Sequence, residues 1–164
     1  MSKSIHSFVR VSAPCGEVFP YFFSLNLLQV FKGFWFVPNI ESAFFKIKSA
    51  KPGSERLIYF EDCSTAVCQL FDFTPQVSFS VQIDNFTSSC FIGLEAMRCH
   101  FSFSDSGSGM TQVNSHYQFK MHSPFWNLLF EVFFRRIMQQ RLDSVLIQTA
   151  KELKFFIDWK LTLD

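Results

Sequence analysis

The sequence is short of glycine, with six residues in 164, and of polar aromatics, with three Tyr and three Trp against 24 Phe. It is also short of charge. Only 18% of its side chains are charged, and fifteen cations against fourteen anions leave +1. That balance creates no broad basic field, so nucleic acid is not an expected partner. With 48% hydrophobic residues, the low charge excludes a disordered chain. Long apolar runs are missing too. The most apolar stretch, residues 18–36, is broken by Pro20, Asn26, Gln29, Lys32 and Gly33, too much polarity and punctuation for a spanning helix of about 20 apolar residues. Met1 to His6 has no unbroken apolar core of the kind a signal peptide needs. The expectation is a soluble, cytoplasmic chain forming one domain over 1–164, which at this length buries about two-thirds of its unfolded surface.

Signatures of chemistry are absent as well. There is no HExxH, Cys/His cluster, GxSxG, P-loop or GxGxxG, and Gly107 and Gly109 read as parts of a hairpin turn. No metal and no cofactor are expected. Five cysteines (15, 63, 68, 90, 99) without a CxxC pair read as reduced, mostly buried thiols. His100 and His116 are placed on an outer sheet face, and His122 at a strand end.

What the sequence does have is a change of period. Residues 5–12 alternate as a first strand. Ser12-Ala13-Pro14 then reads as a helix start, with Ser12 as N-cap and Glu17 near the positive end. Phe19, Phe22, Phe23 and then Leu27, Leu28, Phe31 suit two short helices. From Ile40 the period becomes two, giving candidate strands over 40–47, 55–61, 65–73, 77–86, 91–104 and 110–121, joined by short turns such as Lys51-Pro52-Gly53-Ser54 and Thr74-Pro75-Gln76. Connections so short imply antiparallel hairpins. Ser123-Pro124 opens a long helix to about Asp158 whose second half carries the stripe Met138, Leu142, Val145, Leu146, Thr149, Leu153, Phe156. It is the only element long enough to cover the dry face of the sheet. The fold class is α+β.

This order, together with Val9-Arg10-Val11-Ser12-Ala13-Pro14, Pro52-Gly53-Ser54-Glu55-Arg56, Leu70-Phe71-Asp72-Phe73-Thr74-Pro75, Gly109-Met110-Thr111-Gln112-Val113 and Ser123-Pro124-Phe125, resembles the START-like (Bet v 1-like, SRPBCC) superfamily and its polyketide cyclase/dehydrase and lipid-transport group. Asp62-Cys63-Ser64 departs from it, standing where such relatives often have an Asp-Gly turn. The resemblance implies a helix-grip fold: a curved antiparallel meander, two short helices after the first strand, and a long C-terminal helix enclosing an apolar cavity. It also implies a hydrophobic small-molecule ligand, such as a lipid or polyketide-like compound, bound without chemistry. A cyclase or dehydratase, or an interaction module whose cavity is filled by Phe, are the alternatives. Monomer and homodimer both stay open.

Facing and spacing select the candidate ligand-binding residues: Tyr59, Phe79, Glu95, Met97, Phe101, Ser115, Tyr117, Phe119, Phe130, Glu131 and Phe134. Pairing Phe101 with Val113 puts Met97 opposite Tyr117 and Glu95 opposite Phe119, so that Glu95, Ser115 and Tyr117 are polar groups on the dry face. An enzyme would use Glu95 as general acid or base and Tyr117 to polarise a carbonyl. Glu95 reaching water at a strand end is the competing view. In the long helix, projecting the stripe backwards at 100° per residue brings Asn127, Glu131 and Arg135 in line with the core. Either the helix bends or breaks near 135–141 and turns that row to solvent, or the row faces the cavity with Arg135 as partner of Glu131. Residues 31–37 read as core, with a lid, a transient membrane-touching tip or a dimer contact as alternatives.

Overall fold

The computed structural model describes residues 2–24, 40–42 and 50–161. Strand β1 (Ser2–Val11) leads through helix α1 (Cys15–Phe23) to β2 (Ile40–Ser42), β3 (Glu55–Phe60), β4 (Thr65–Thr74) and β5 (Ser78–Asp84). A 3-10 turn (Ser89–Phe91) precedes β6 (Leu94–Asp105) and β7 (Thr111–Met121). Helix α2 (Pro124–Leu129), a π-turn (Phe130–Phe134) and helix α3 (Arg135–Leu161) complete the chain. The strands form one antiparallel sheet in the order β1-β7-β6-β5-β4-β3-β2. The second short helix expected at Leu27, Leu28 and Phe31, the 31–37 segment and residues 43–47 of the expected second strand lie outside the described residues.

Alternation sorts the sheet into two faces. Ile5, Met97, Cys99, Phe101, Val113, Tyr117 and Phe119 point to the core, whereas His6, Arg98, His100, Asn114 and Gln118 occupy the outer face. In α1 the spacing of Val18, Phe19, Phe22 and Phe23 buries one stripe. Its N-cap is Pro14, whose extended backbone (ψ 152°) ends the strand without any side-chain cap. The expected cap, Ser12, lies two residues too early. Ser123 does cap α2, accepting from the Trp126 amide with Pro124 in the first turn.

The β6–β7 pairing is offset by two residues from the expected one. Phe103 stands opposite Val113, Phe101 opposite Ser115, Cys99 opposite Tyr117 and Met97 opposite Phe119. The hairpin reverses through Gly107, Ser108 and Gly109, all at positive φ, and closes with the Ser106 amide donating to Met110 O at 2.8 Å. Because the offset is even, every inward residue stays inward.

The long helix resolves its own polar conflict by inserting a residue. The stripe Met138, Leu142, Leu146, Thr149 and Leu153 is buried, whereas Phe156 is exposed. In the π-turn one extra residue rotates everything before it, so Phe130 and not Glu131 falls in line with that stripe. Phe130 is 5% exposed and its ring lies 5.0 Å from that of Phe119. The break comes at 130–134, just before the expected 135–141 interval. Helix α3 is tied to β1 by Ser7 Oγ donating to Asp143 Oδ1 and by Gln139 Nε2 donating to His6 O at 2.8 Å.

Candidate functional site

The inner face of the sheet consists of rows of in-register residues, and the rows differ. Ser115, Phe101, Phe79 and Phe73 run side by side across β7 to β4. With Phe103 and the α1 rings Phe19, Phe22 and Phe23 they make a ring cluster whose centroids lie 5.0–6.3 Å apart. Edge-to-face and offset contacts at this spacing are favourable beyond the area they bury. This end of the interior is filled by phenylalanine.

The next row is built differently. Ile5, Tyr117, Cys99, Val81 and Leu70 lie abreast on β1, β7, β6, β5 and β4. Tyr117 is the one hydroxyl in it, 3% exposed. Its hydroxyl makes no hydrogen bond with the described residues. Burial, and secondarily the Cys99 thiol, pushes its pKa well above the usual phenol value, so it stays a neutral donor. The third row, Phe119, Met97, Ile83 and Cys68, is again apolar, and burial drives the Cys68 thiol up to about 12.

Of the sequence-selected residues, the structure brings Phe79, Met97, Phe101, Ser115, Tyr117, Phe119 and Phe130 into this interior, and packs a half-buried Phe134 against it. Ser115 is satisfied, its Oγ donating to Ser7 O at 3.2 Å. Three residues are placed elsewhere. Tyr59 pairs with Thr65 on the outer face and is 47% exposed, because Ile58 and Phe60 take the inward phase of β3. Glu95 is the extra residue of a bulge between Leu94 and Ala96: Leu94 takes the place opposite Met121, and Glu95 turns out to pair with Lys120. Water and a cation cost far less than burying a carboxylate. The general acid of the enzyme reading is thus not in the interior. Glu131 also sits outside it, its two oxygens each 2.9 Å from Lys3 Nζ and Arg135 Nη1. Both cations hold its carboxyl below the usual range.

A second arrangement was not foreseen. His6, His116, His100 and Ser80 stand abreast on the outer face of β1, β7, β6 and β5. His100 Nδ1 lies 2.7 Å from Ser80 Oγ. With Phe8, Ser102 and Asn114 the three histidines line a groove of about 290 Å³. Parity alone places His100 and His116 on this face. Only the β1–β7 pairing, made across more than a hundred residues, brings in His6. Among the described residues no group of three or more His, Cys, Asp or Glu side chains could hold a metal ion.

No protein-family model and no curated protein matches the chain. Solved structures match its fold. Ara h 8.0201 superposes with a TM-score of 0.54 at 11% identity, covering 90% of this chain and 99% of its own. Norcoclaurine synthase from Thalictrum flavum, in complex with dopamine and hydroxybenzaldehyde, gives 0.54 and 11% over 90% of this chain and 88% of its own. TTHA0849 from Thermus thermophilus gives 0.57 and 13% over 92% and 96%. A synthase stands among these neighbours, so the shared architecture does not decide between binding and catalysis. The first strand paired with the last, the meander between them and the long helix tied across the inner face give the chain the Bet v 1-like helix-grip fold.

Proposed function

We propose that the chain binds an apolar small molecule between the sheet and α3, without transforming it. The reading is carried by Tyr117. Its side chain is buried and its hydroxyl makes no hydrogen bond with the described residues, in a row otherwise made of Ile5, Cys99, Val81 and Leu70. A hydrogen bond made by such a hydroxyl is worth about 0.5–1.5 kcal/mol. A ligand carbonyl or hydroxyl accepting from it gains that bond, while the rest of the ligand replaces water with aliphatic and sulfur contacts. Such a mostly apolar lining with one placed donor orients a ligand as well as holding it. The ring cluster at the α1 end limits the ligand to the Tyr117 row and the row beyond it. With Glu95 at the surface, no carboxylate among the proposed residues is placed to move a proton.

A second reading, an interaction module whose interior is filled by side chains, is favoured by the ring cluster itself. Titration with the fluorescent probe anilinonaphthalene sulfonate, together with native mass spectrometry of the purified protein, separates the two. Ligand binding gives saturable one-site fluorescence and a bound adduct, and Tyr117→Phe weakens probe binding by about 3- to 10-fold, the worth of one hydrogen bond. Absence of both adduct and saturable binding leaves the filled module.

A further inference from the structure

In the middle of α3 Gln140, Ser144, Gln148 and Lys151 are exposed, interrupted by Ile147, and Phe155, Phe156 and Trp159 are exposed near its end. A separate exposed apolar cluster spans α2, the π-turn and the first turn of α3. Phe125, Leu128, Val132 and Phe133 are 61–63% exposed, and Ile137 is 45% exposed. Ile92, 69% exposed, belongs to the same patch. Its neighbour Gly93 lies directly on the Trp126 ring, where an added Cβ would come within 2.3 Å of Cδ2, and Trp126 in turn lies 5.8 Å from Phe125. The π-turn causes this clustering. By turning Phe130 inward it sends Val132 and Phe133 outward.

The charges beside the patch have one predominant sign. Residues 123–141 hold Arg135, Arg136 and Arg141 against Glu131 alone. Both Glu131 oxygens are engaged, one by Lys3 and one by Arg135. A cluster of exposed apolar side chains on a folded protein marks a surface that meets something, and the surplus of cations over Glu131 favours an anionic one.

We propose that α2 and the π-turn dock on the surface of an anionic lipid bilayer. Phe125, Leu128, Val132 and Ile92 enter the boundary between headgroups and acyl chains, while Arg136 meets lipid phosphates and carboxylates. Bulky aromatic and aliphatic side chains on one helical face, with arginine along the rim, is the composition of an interfacial helix. The docking is peripheral: Phe130 stays anchored on Phe119, and no helix among the described residues is long and apolar enough to cross a membrane. A second copy of the chain fits this surface less well, because a two-fold contact sets the arginine rim against itself. The inference is independent of any ligand in the interior.

Vesicle co-sedimentation tests it, using pure phosphatidylcholine and phosphatidylcholine mixed with phosphatidylserine. Binding to the phosphatidylserine vesicles is expected to be about 10-fold or more tighter and to weaken with added salt. Arg136→Glu reverses one charge and weakens it by about 5- to 25-fold, each charge near the surface being worth about 5-fold. Leu128→Asp with Val132→Asp weakens it by about 10-fold or more. All three positions are exposed, and circular dichroism verifies that the variants keep their fold. No binding to phosphatidylserine vesicles overturns the proposal, as does binding unchanged in both variants. A patch-dependent dimer or acidic-protein complex without vesicle binding overturns it too. Retention of anilinonaphthalene sulfonate binding by the Leu128→Asp, Val132→Asp protein keeps this outcome separate from that of the interior site.

Discussion

His6 of β1 and His116 of β7 stack face to face, their ring centroids 4.0 Å apart and their planes 11° from parallel. The stack forms because the strands pair in register, His6 opposite His116, with His100 of β6 on the other side. His116 Nε2 is buried and has no hydrogen-bond partner among the described residues. Burial, and then the neighbouring charges of His6 and His100, hold its pKa below the ordinary 6.5.

A stability–pH relation follows from that shift. The folded value lies below the unfolded one, so the unfolded chain takes up the proton first. Stability contributed by neutral His116 is complete above about pH 6.5 and is lost as the pH falls through the folded value. Thermal unfolding midpoints measured from about pH 8 to about pH 5 are expected to decline at the acid end. His116→Gln removes part of that decline. A variant with an unchanged slope shows that His116 is not its source.

The π-turn makes adjacent phenylalanines unequal. Phe130 is 5% exposed and Phe133 is 61% exposed. Phe130→Ala is therefore expected to cost about 3–5 kcal/mol in denaturant unfolding. Phe133→Ala costs below about 1 kcal/mol, as a surface truncation does. A regular α-helix keeping Glu131 in line with the stripe would not bury Phe130, and the contrast would vanish.

Cys63 occupies the turn between β3 and β4 with φ at 62°, in the left-handed region that glycine tolerates and side chains resist. The turn is held by Asp62 Oδ1, which accepts from the Ser64 amide at 3.0 Å. Cys63→Gly relieves the side-chain cost while adding some chain entropy to the unfolded state, for a net gain of up to about 1 kcal/mol. A loss of stability would show that the thiol contributes contacts there. The same exposed thiol reacts first with a disulfide reagent, whereas Cys68 and Cys99 are buried, their pKa values pushed up, and react only as the chain opens. Rapid native labelling of all three contradicts that ordering.

The strands, the α1 stripe, the Ser123 cap and the α3 stripe were legible because each rests on local periodicity or on one turn of chain. The inward set on β6 and β7 survived a two-residue error in register, since side-chain direction depends on parity alone. Glu95 was misplaced for the complementary reason. A single bulged residue changes parity, and nothing in Leu94-Glu95-Ala96 announces a bulge. What moves Glu95 outward is the cost of burying a carboxylate where Leu94 fits, with Lys120 of the next strand as its partner. Glu131 shows the same thing in a helix. The conflict with the stripe was visible in sequence, but the insertion that settles it depends on Phe130 reaching Phe119 and Lys3 reaching Glu131.

By itself, the sequence determined the succession of the described elements and which side of each of their strands is dry, because side-chain volume and polarity repeat at intervals of two or of about 3.6 residues along one segment. Tertiary structure alone decided where those repeats are interrupted and which distant residues become neighbours. The His6–His116–His100 row, the lone Tyr117 hydroxyl and the outward apolar face of α2 all arise where segments far apart in the chain compete for the same interior space, and the exchange of desolvation against packing that decides such a competition has no local signature.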